Sequence, residues 1–235
     1  MPNWVSNELT IKGSAAELDV FKHEMAEPYT TKHFDIVSDG EGGWKKEQRE
    51  NVHESDLSFW NAIAPTDLDA YYGEHVSPKG ERNAEEIWQD IAEGFRTGMD
   101  WYNWNVRNWG TKWDACNVNC VDTTNKYDGS QLHYTFDTAW SIPEPAMIAM
   151  SERYPNLRFY LYSIEEQGWG AEMGFENGQV HVIKEWDVPD SHQENMDVWD
   201  YCWKCEDIGF ENDELYDDCP RRDLTENEEN GSLVA

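Results

Sequence analysis

Thirteen tryptophans, spread from Trp4 to Trp203, are the feature that most restricts this 235-residue chain. Disordered acidic chains are poor in aromatics, because large rings need a core in which to leave water. The chain therefore folds, and it folds around aromatic side chains. It does so with 48 Asp and Glu against 18 Lys and Arg, a net charge of −30. Such a field repels phosphate, which argues against direct nucleic-acid binding and against an anionic membrane surface. No stretch approaches the roughly 20 apolar residues of a membrane span. Residues 1–5 carry neither a basic segment nor an apolar run, so no secretory leader is expected. Five cysteines, an odd number, point to reduced thiols in a cytoplasm rather than a disulfide framework.

The acid is uneven. Residues 186–235 hold 16 acidic and 3 basic side chains, almost three times the net charge density of the rest. A boundary is expected near Val188, Pro189 and Asp190. It divides a domain over residues 1–187 from an acidic extension over 188–235, disordered from about Thr225 onward.

Apolar spacing predicts the elements. Residues 4–11 read as a strand, with Val5, Leu9 and Ile11 on it. Ser14 and Glu17 form a capping-box pattern, and Leu18, Phe21 and Met25 follow at helical spacing. Residues 38–58 read as a polar insertion, and Phe59 to Ile63 as a strand edge. Asn83 to Glu86 cap a second helix with Ile87, Trp88, Ile91 and Phe95 on one face. A third helical stretch runs from Trp101 to Trp109 and Gly110. Strands follow at 115–122 and 131–136, then a helix at 143–153 and strands at 158–164, 168–175 and 179–186. Asn177-Gly178 is the strongest hairpin signal. The pattern predicts an α+β fold, a mostly antiparallel sheet with helices on one face.

Four blocks carry a resemblance. They are Pro2-Asn-Trp4 with Asn7, Leu9, Ile11 and Gly13; Trp109-Gly110-Thr-Lys112-Trp113-Asp114; Phe136-x-Thr-Ala-Trp140 with Pro143 and Pro145; and Leu161 to Glu166 with Gly168 and Gly170. In this order they resemble the YubB ferredoxin-like family of phages and plasmids over residues 1 to about 185. Val5 stands where that family usually has Cys. The resemblance implies a ferredoxin-like core without an iron–sulfur cluster, a mobile-element origin and the cytoplasm of a host bacterium. It brings no assigned activity, so function is argued from sites.

The acidic surface admits two uses beyond solubility. Spaced carboxylates can imitate phosphates, since duplex DNA carries a charge per about 1.7 Å of axis. Candidate stripes are Glu85, Glu86, Asp90 and Glu93 on one helix, and Glu206, Asp207, Glu211, Asp213, Glu214, Asp217 and Asp218 near the end. The expected function is non-enzymatic: an accessory protein that binds a basic host protein, as a DNA mimic directed at a defence or DNA-handling enzyme. The alternative is a divalent-metal enzyme acting on nucleic acids or nucleotides.

Trp4, Asn7, Trp109, Gly110, Lys112, Trp113, Trp140 and Gly168 are read as structural. Lys112 is expected to hold a carboxylate such as Asp114 or Asp137. His133 with Asp137, and Glu165 with Glu166, are the acid–base pairs on offer, against chance in so acidic a chain. No phosphate loop, nucleophile elbow or His-Glu-x-x-His is present. Cys116 and Cys120 read as small buried side chains. Cys202-x-x-Cys205 is a poor redox pair, because acidic surroundings raise a thiol's pKa. The expected reading is no cofactor. The spacing leaves zinc open as the alternative, at His192, Cys202, Cys205 and Cys219.

Overall fold

Period-two alternation runs the length of the first strand. Val5, Asn7, Leu9 and Ile11 are buried while Ser6, Glu8 and Lys12 face water. The structure, a computed structural model, describes residues 3–40, 43–72, 100–125, 129–206 and 214–220. In chain order its elements are β1 (Trp4–Gly13), α1 (Ala15–Met25), β2 (Tyr29–Ser38), β3 (Trp44–His53), α2 (Phe59–Ala62), α3 (Leu68–Tyr72) and α4 (Trp101–Asn108). There follow β4 (Cys116–Asn125), β5 (Gly129–Ala139), α5 (Glu144–Arg153), β6 (Arg158–Glu165), β7 (Gly170–Glu176), β8 (Gln179–Trp186), α6 (His192–Trp199) and α7 (Trp203–Glu206).

Six strands form one sheet in the order β4-β5-β1-β6-β7-β8, with every neighbouring pair antiparallel. The set β1, α1, β4, β5, α5, β6, with β1 between β5 and β6, is the split β-α-β topology of the ferredoxin-like fold. The expected α+β class is the one observed. Strands β7 and β8 extend the sheet through a hairpin. Its turn residues Asn177 and Gly178 both have positive φ, 49° and 73°, as a two-residue turn of this hand requires.

Helix α1 opens as its sequence predicts: Ser14 Oγ accepts from the Glu17 N–H at 3.3 Å. It lays Leu18, Phe21 and Met25 on the sheet, and α5 adds Ala146, Met147 and Met150. Phe21 meets Tyr134, Tyr154 and Phe159 edge-on, with centroids 6.3, 5.0 and 5.6 Å away. The opposite face of the sheet lies away from both helices.

Residues 38–58, read as a polar insertion, carry β3, which pairs with β2 along its full length as a two-stranded ribbon separate from the six-stranded sheet. One expectation in the first half is corrected. Phe59 to Ala62 form a short helix rather than a strand edge. The reason is a local cap backed by a distant one: Ser58 Oγ accepts from the Trp60 N–H (3.1 Å), and Asp114 accepts from the backbone N–H of Phe59 (2.6 Å) and Trp60 (3.3 Å) and from Ser58 Oγ (2.7 Å). The helix read at Asn83 onward lies outside the described residues. Among the described residues no helix is long and apolar enough to cross a membrane.

Candidate functional site

The four sequence blocks meet at one end of the sheet. β1 starts where β5 and β6 end, so Trp4 pairs with Ala139 and Val5 with Glu165. Asn7 is buried in the centre. Its amide donates to the Val5 and Phe136 carbonyls and to Thr138 Oγ1, and its oxygen accepts from Ser163 Oγ at 2.7 Å. Trp109 is buried and donates its indole N–H to the Ile63 carbonyl. Gly110 has φ +83°, and a Cβ there would meet Pro145 Cδ at 2.5 Å. These positions hold the fold together.

Lys112 does not pair with Asp114 or Asp137 as expected. Asp114 is taken up by the α2 cap, by Tyr29 Oη (2.8 Å) and by the Ala115 N–H. Asp137 accepts from Ser6 and Asn117. The Lys112 ammonium instead lies over two indoles, 4.6 Å from the Trp113 ring and 4.7 Å from that of Trp140. Trp4 packs on Trp113, and Trp140 is 44% exposed. His133 and Asp137 do not converge, since His133 Nδ1 faces Thr10. Glu165 is buried rather than solvated and accepts from the Gln167 N–H. Cys116 and Cys120 are both half-buried, with a bulge between Cys116 and Asn119.

The face of the sheet away from α1 and α5 holds a row that sequence reasoning missed. The register sets Thr135, Glu8, Tyr162, Glu172 and Lys184 side by side across β5, β1, β6, β7 and β8. Trp186 lies 5.7 Å from the Tyr162 ring. Partial burial, then Glu8, then Glu172, push the Tyr162 phenol above its usual value, so both carboxylates bear on that ring. Alternation along β6 puts Tyr160 and Tyr162 on one face. Only the strand register adds the two acids.

The second constellation follows the sheet. Ser191 caps α6, accepting from the Glu194 N–H, and so places His192 in its first turn. Asp200, at φ +60°, ends that helix and turns the chain toward Cys202. The Cys202 carbonyl accepts from the Cys205 N–H at 3.1 Å, and the Tyr216 carbonyl from the Cys219 N–H at 3.0 Å. Asp218 then ties the two ends together: its carboxylate accepts from the His192 N–H at 2.7 Å and the Gln193 N–H at 3.0 Å. These two backbone bonds, Gln193 first, hold the Asp218 carboxyl below its usual range. The result brings one ligand atom each of His192, Cys202, Cys205 and Cys219 within 4.8 Å of one another. His192 Nδ1 lies 3.2 Å from Cys205 Sγ, and the Cys205 and Cys219 sulfurs are in direct contact, as a disulfide pair. Cys202 and Cys219 are buried.

This segment rests on the sheet through Gly168. The residue has φ +101°, and a Cβ on it would lie 2.8 Å from Pro189 Cδ and 3.0 Å from Trp199 Nε1. Its carbonyl accepts from the Trp186 indole N–H. Of the acidic stripes, Glu214, Asp217 and Asp218 are exposed, and Glu206 ends α7. Glu85, Glu86, Asp90, Glu93, Asp207, Glu211 and Asp213 lie outside the described residues.

Fold and topology define the class: an α+β protein with a ferredoxin-like domain. The family model of the ferredoxin-like domain in Api92-like protein matches residues 108–202, from the Trp-Gly-Thr-Lys-Trp block to Cys202. The crystal structure of protein api92 from Yersinia pseudotuberculosis is similar at 12% identity and a TM-score of 0.41, covering 80% of this chain and 99% of that one. No curated protein matches the chain.

Proposed function

We propose that this chain is a non-catalytic recognition protein that binds a basic protein surface through its acidic exterior. The row of Glu8, Tyr162 and Glu172 on the open sheet face carries the reading. An Arg or Lys side chain from a partner finds there an aromatic ring flanked by two carboxylates, which combines cation–π attraction with charge-assisted hydrogen bonds. Among the described residues the buried carboxylates are Asp100 and Glu165, and they accept backbone N–H groups, from Asn103 and Gln167. They serve the fold rather than a metal, which favours recognition over divalent-metal catalysis.

The net charge of −30 and the YubB resemblance extend the proposal. The carboxylates act as phosphate surrogates, and the target is the DNA-binding groove of a host defence or DNA-handling enzyme met by a mobile element. Opposed charge of this kind speeds encounter and weakens with salt.

The test is capture from bacterial lysate by the tagged chain, washed at low and at high salt, beside a Glu8→Gln/Glu172→Gln variant. The expected result is a basic DNA-handling protein that is released at high salt, is captured less by the variant, and is displaced by duplex DNA. Capture indifferent to salt and to the variant would sink the proposal. Capture that DNA does not displace would remove the mimicry while leaving the acidic interface.

A further inference from the structure

We propose that His192, Cys202, Cys205 and Cys219 bind one zinc ion in a closed structural site. The argument begins with the donor set. Three thiolates and an imidazole are a standard tetrahedral zinc shell, and all four positions are filled by protein, which leaves none open for catalysis. With Zn–S near 2.3 Å, tetrahedral sulfurs stand about 3.8 Å apart. The four groups already lie within 4.8 Å of one another, and coordination requires the contacting Cys205 and Cys219 sulfurs, as free thiolates, to part to the tetrahedral spacing.

A disulfide between Cys205 and Cys219 is the competing use of the same atoms. It engages two of the four groups and gives no role to the other two. Yet Cys202 is 1% exposed beside them, and His192 Nδ1 approaches Cys205 Sγ to 3.2 Å. A metal engages all four. The backbone is also arranged around the cluster rather than around one sulfur pair. The Cys202–Cys205 turn, the Tyr216–Cys219 turn and the Asp218 bonds to the start of α6 each deliver one or two donors to the same point.

The segment needs such a centre. Its buried groups among the described residues are few, and in small polar segments metal binding supplies the folding free energy that a core does not. Zinc would therefore fasten α6, α7 and the 214–220 turn into one unit against the Gly168 turn of the sheet. Binding displaces the thiol protons to solvent. With zinc, three thiolates and a neutral imidazole leave the centre with a single net negative charge. This site is independent of the proposed partner and stands or falls without it.

The test uses the full chain, expressed with zinc supplied and purified under reducing conditions without chelator. Native mass spectrometry and elemental analysis are expected to give one zinc per chain. Replacement by cobalt(II) is expected to give tetrahedral ligand-field bands and thiolate-to-cobalt charge transfer. Cys202→Ser and His192→Ala each weaken metal binding by more than about tenfold, while the Cys116→Ser/Cys120→Ser pair leaves it unchanged. Should a ligand variant fail to fold, the wild-type cobalt spectrum still decides the donor set. A metal-free chain whose mass is short by two hydrogens, with a peptide map that joins Cys205 to Cys219, would show the disulfide and overturn the proposal. Zinc retained at full affinity by Cys202→Ser would do the same.

Discussion

Among the described residues, twenty buried side chains of the sheet and of the helices and loops packed on it, from Leu9 to Phe175, form one cluster. Beyond Trp186 the buried groups among the described residues are Pro189, Asn195, Cys202, Leu215 and Cys219. The first region carries aromatic rings in edge contact and strands in register apart from shifts in the β4–β5 and β7–β8 pairs. The second carries helix caps, turn hydrogen bonds and a point where four donors meet. Area removed from water stabilises the one at about 25 cal/mol per Å². The other buries little apolar area among the described residues and is held there by directed bonds. The difference teaches that a charge of −30 is compatible with a stable fold when the acid sits outside a dense core, and that the acid-rich end needs another fastening.

The strongest way to break the comparison is to damage the core. Phe159 is fully buried and packs against Phe21. Phe159→Ala is expected to cost about 3–5 kcal/mol, because the cavity left by the ring adds to the lost transfer free energy. Urea unfolding followed by tryptophan fluorescence would show the midpoint fall. The segment after Trp186 should lose protection with the sheet, since Gly168 and Trp186 form part of its seat. A loss below about 1 kcal/mol would mean that the ring is not in a packed core.

A smaller change addresses the joint. Gly168→Ala puts a Cβ against Pro189 and Trp199 at a positive φ that only glycine adopts freely. The expected loss is about 1–2 kcal/mol, and its location matters more than its size. Hydrogen exchange should quicken in α6 and in the turn between β6 and β7, and stay slow in β1 and β5. Uniform quickening would mean that sheet and segment open as one unit.

What the sequence displayed follows the same division. Strands β1, β5 and β6 were legible because their buried face alternates, and α1 because Ser14 and Glu17 announce it. The His192, Cys202, Cys205 and Cys219 set was legible from spacing alone. The ribbon of β2 and β3 was not. Residues 44–53 are polar at nearly every position, so no apolar period marks a strand, and the pair is held by its own backbone ladder. Helix α2 was hidden because it is a single turn whose local cap, Ser58, is reinforced by Asp114 from far along the chain. The row of Glu8, Tyr162 and Glu172 was hidden for a related reason. Each residue is ordinary on its own strand, and only the register of β1, β6 and β7 makes a site of them.

The smallest effect is expected in the ribbon. Tyr29 lies between two rings in near-parallel stacking, with His53 at 4.6 Å and Trp60 at 5.1 Å. Its hydroxyl donates to Asp114, and Thr31 Oγ1 lies 2.7 Å from His53 Nε2. Burial pushes the His53 imidazole below its ordinary value of 6.5, and the Asp114 carboxylate opposes that shift without cancelling it. The folded chain therefore holds this proton less tightly than the unfolded one. The neutral ring's contribution is fully present above the unfolded value and declines as pH falls from there toward the folded value. Wild type should lose more stability than His53→Gln between neutral pH and about pH 5.5, because glutamine keeps a polar partner for Thr31 without titrating. The other six histidines are common to both chains and drop out of the difference. Exchange protection should fall first in β2 and β3, with the six-stranded sheet unchanged. If the variant proved the more acid-sensitive of the two, the stacked ring would have to be the protonated one, and the ribbon would be held by its charge against Asp114 rather than by burial.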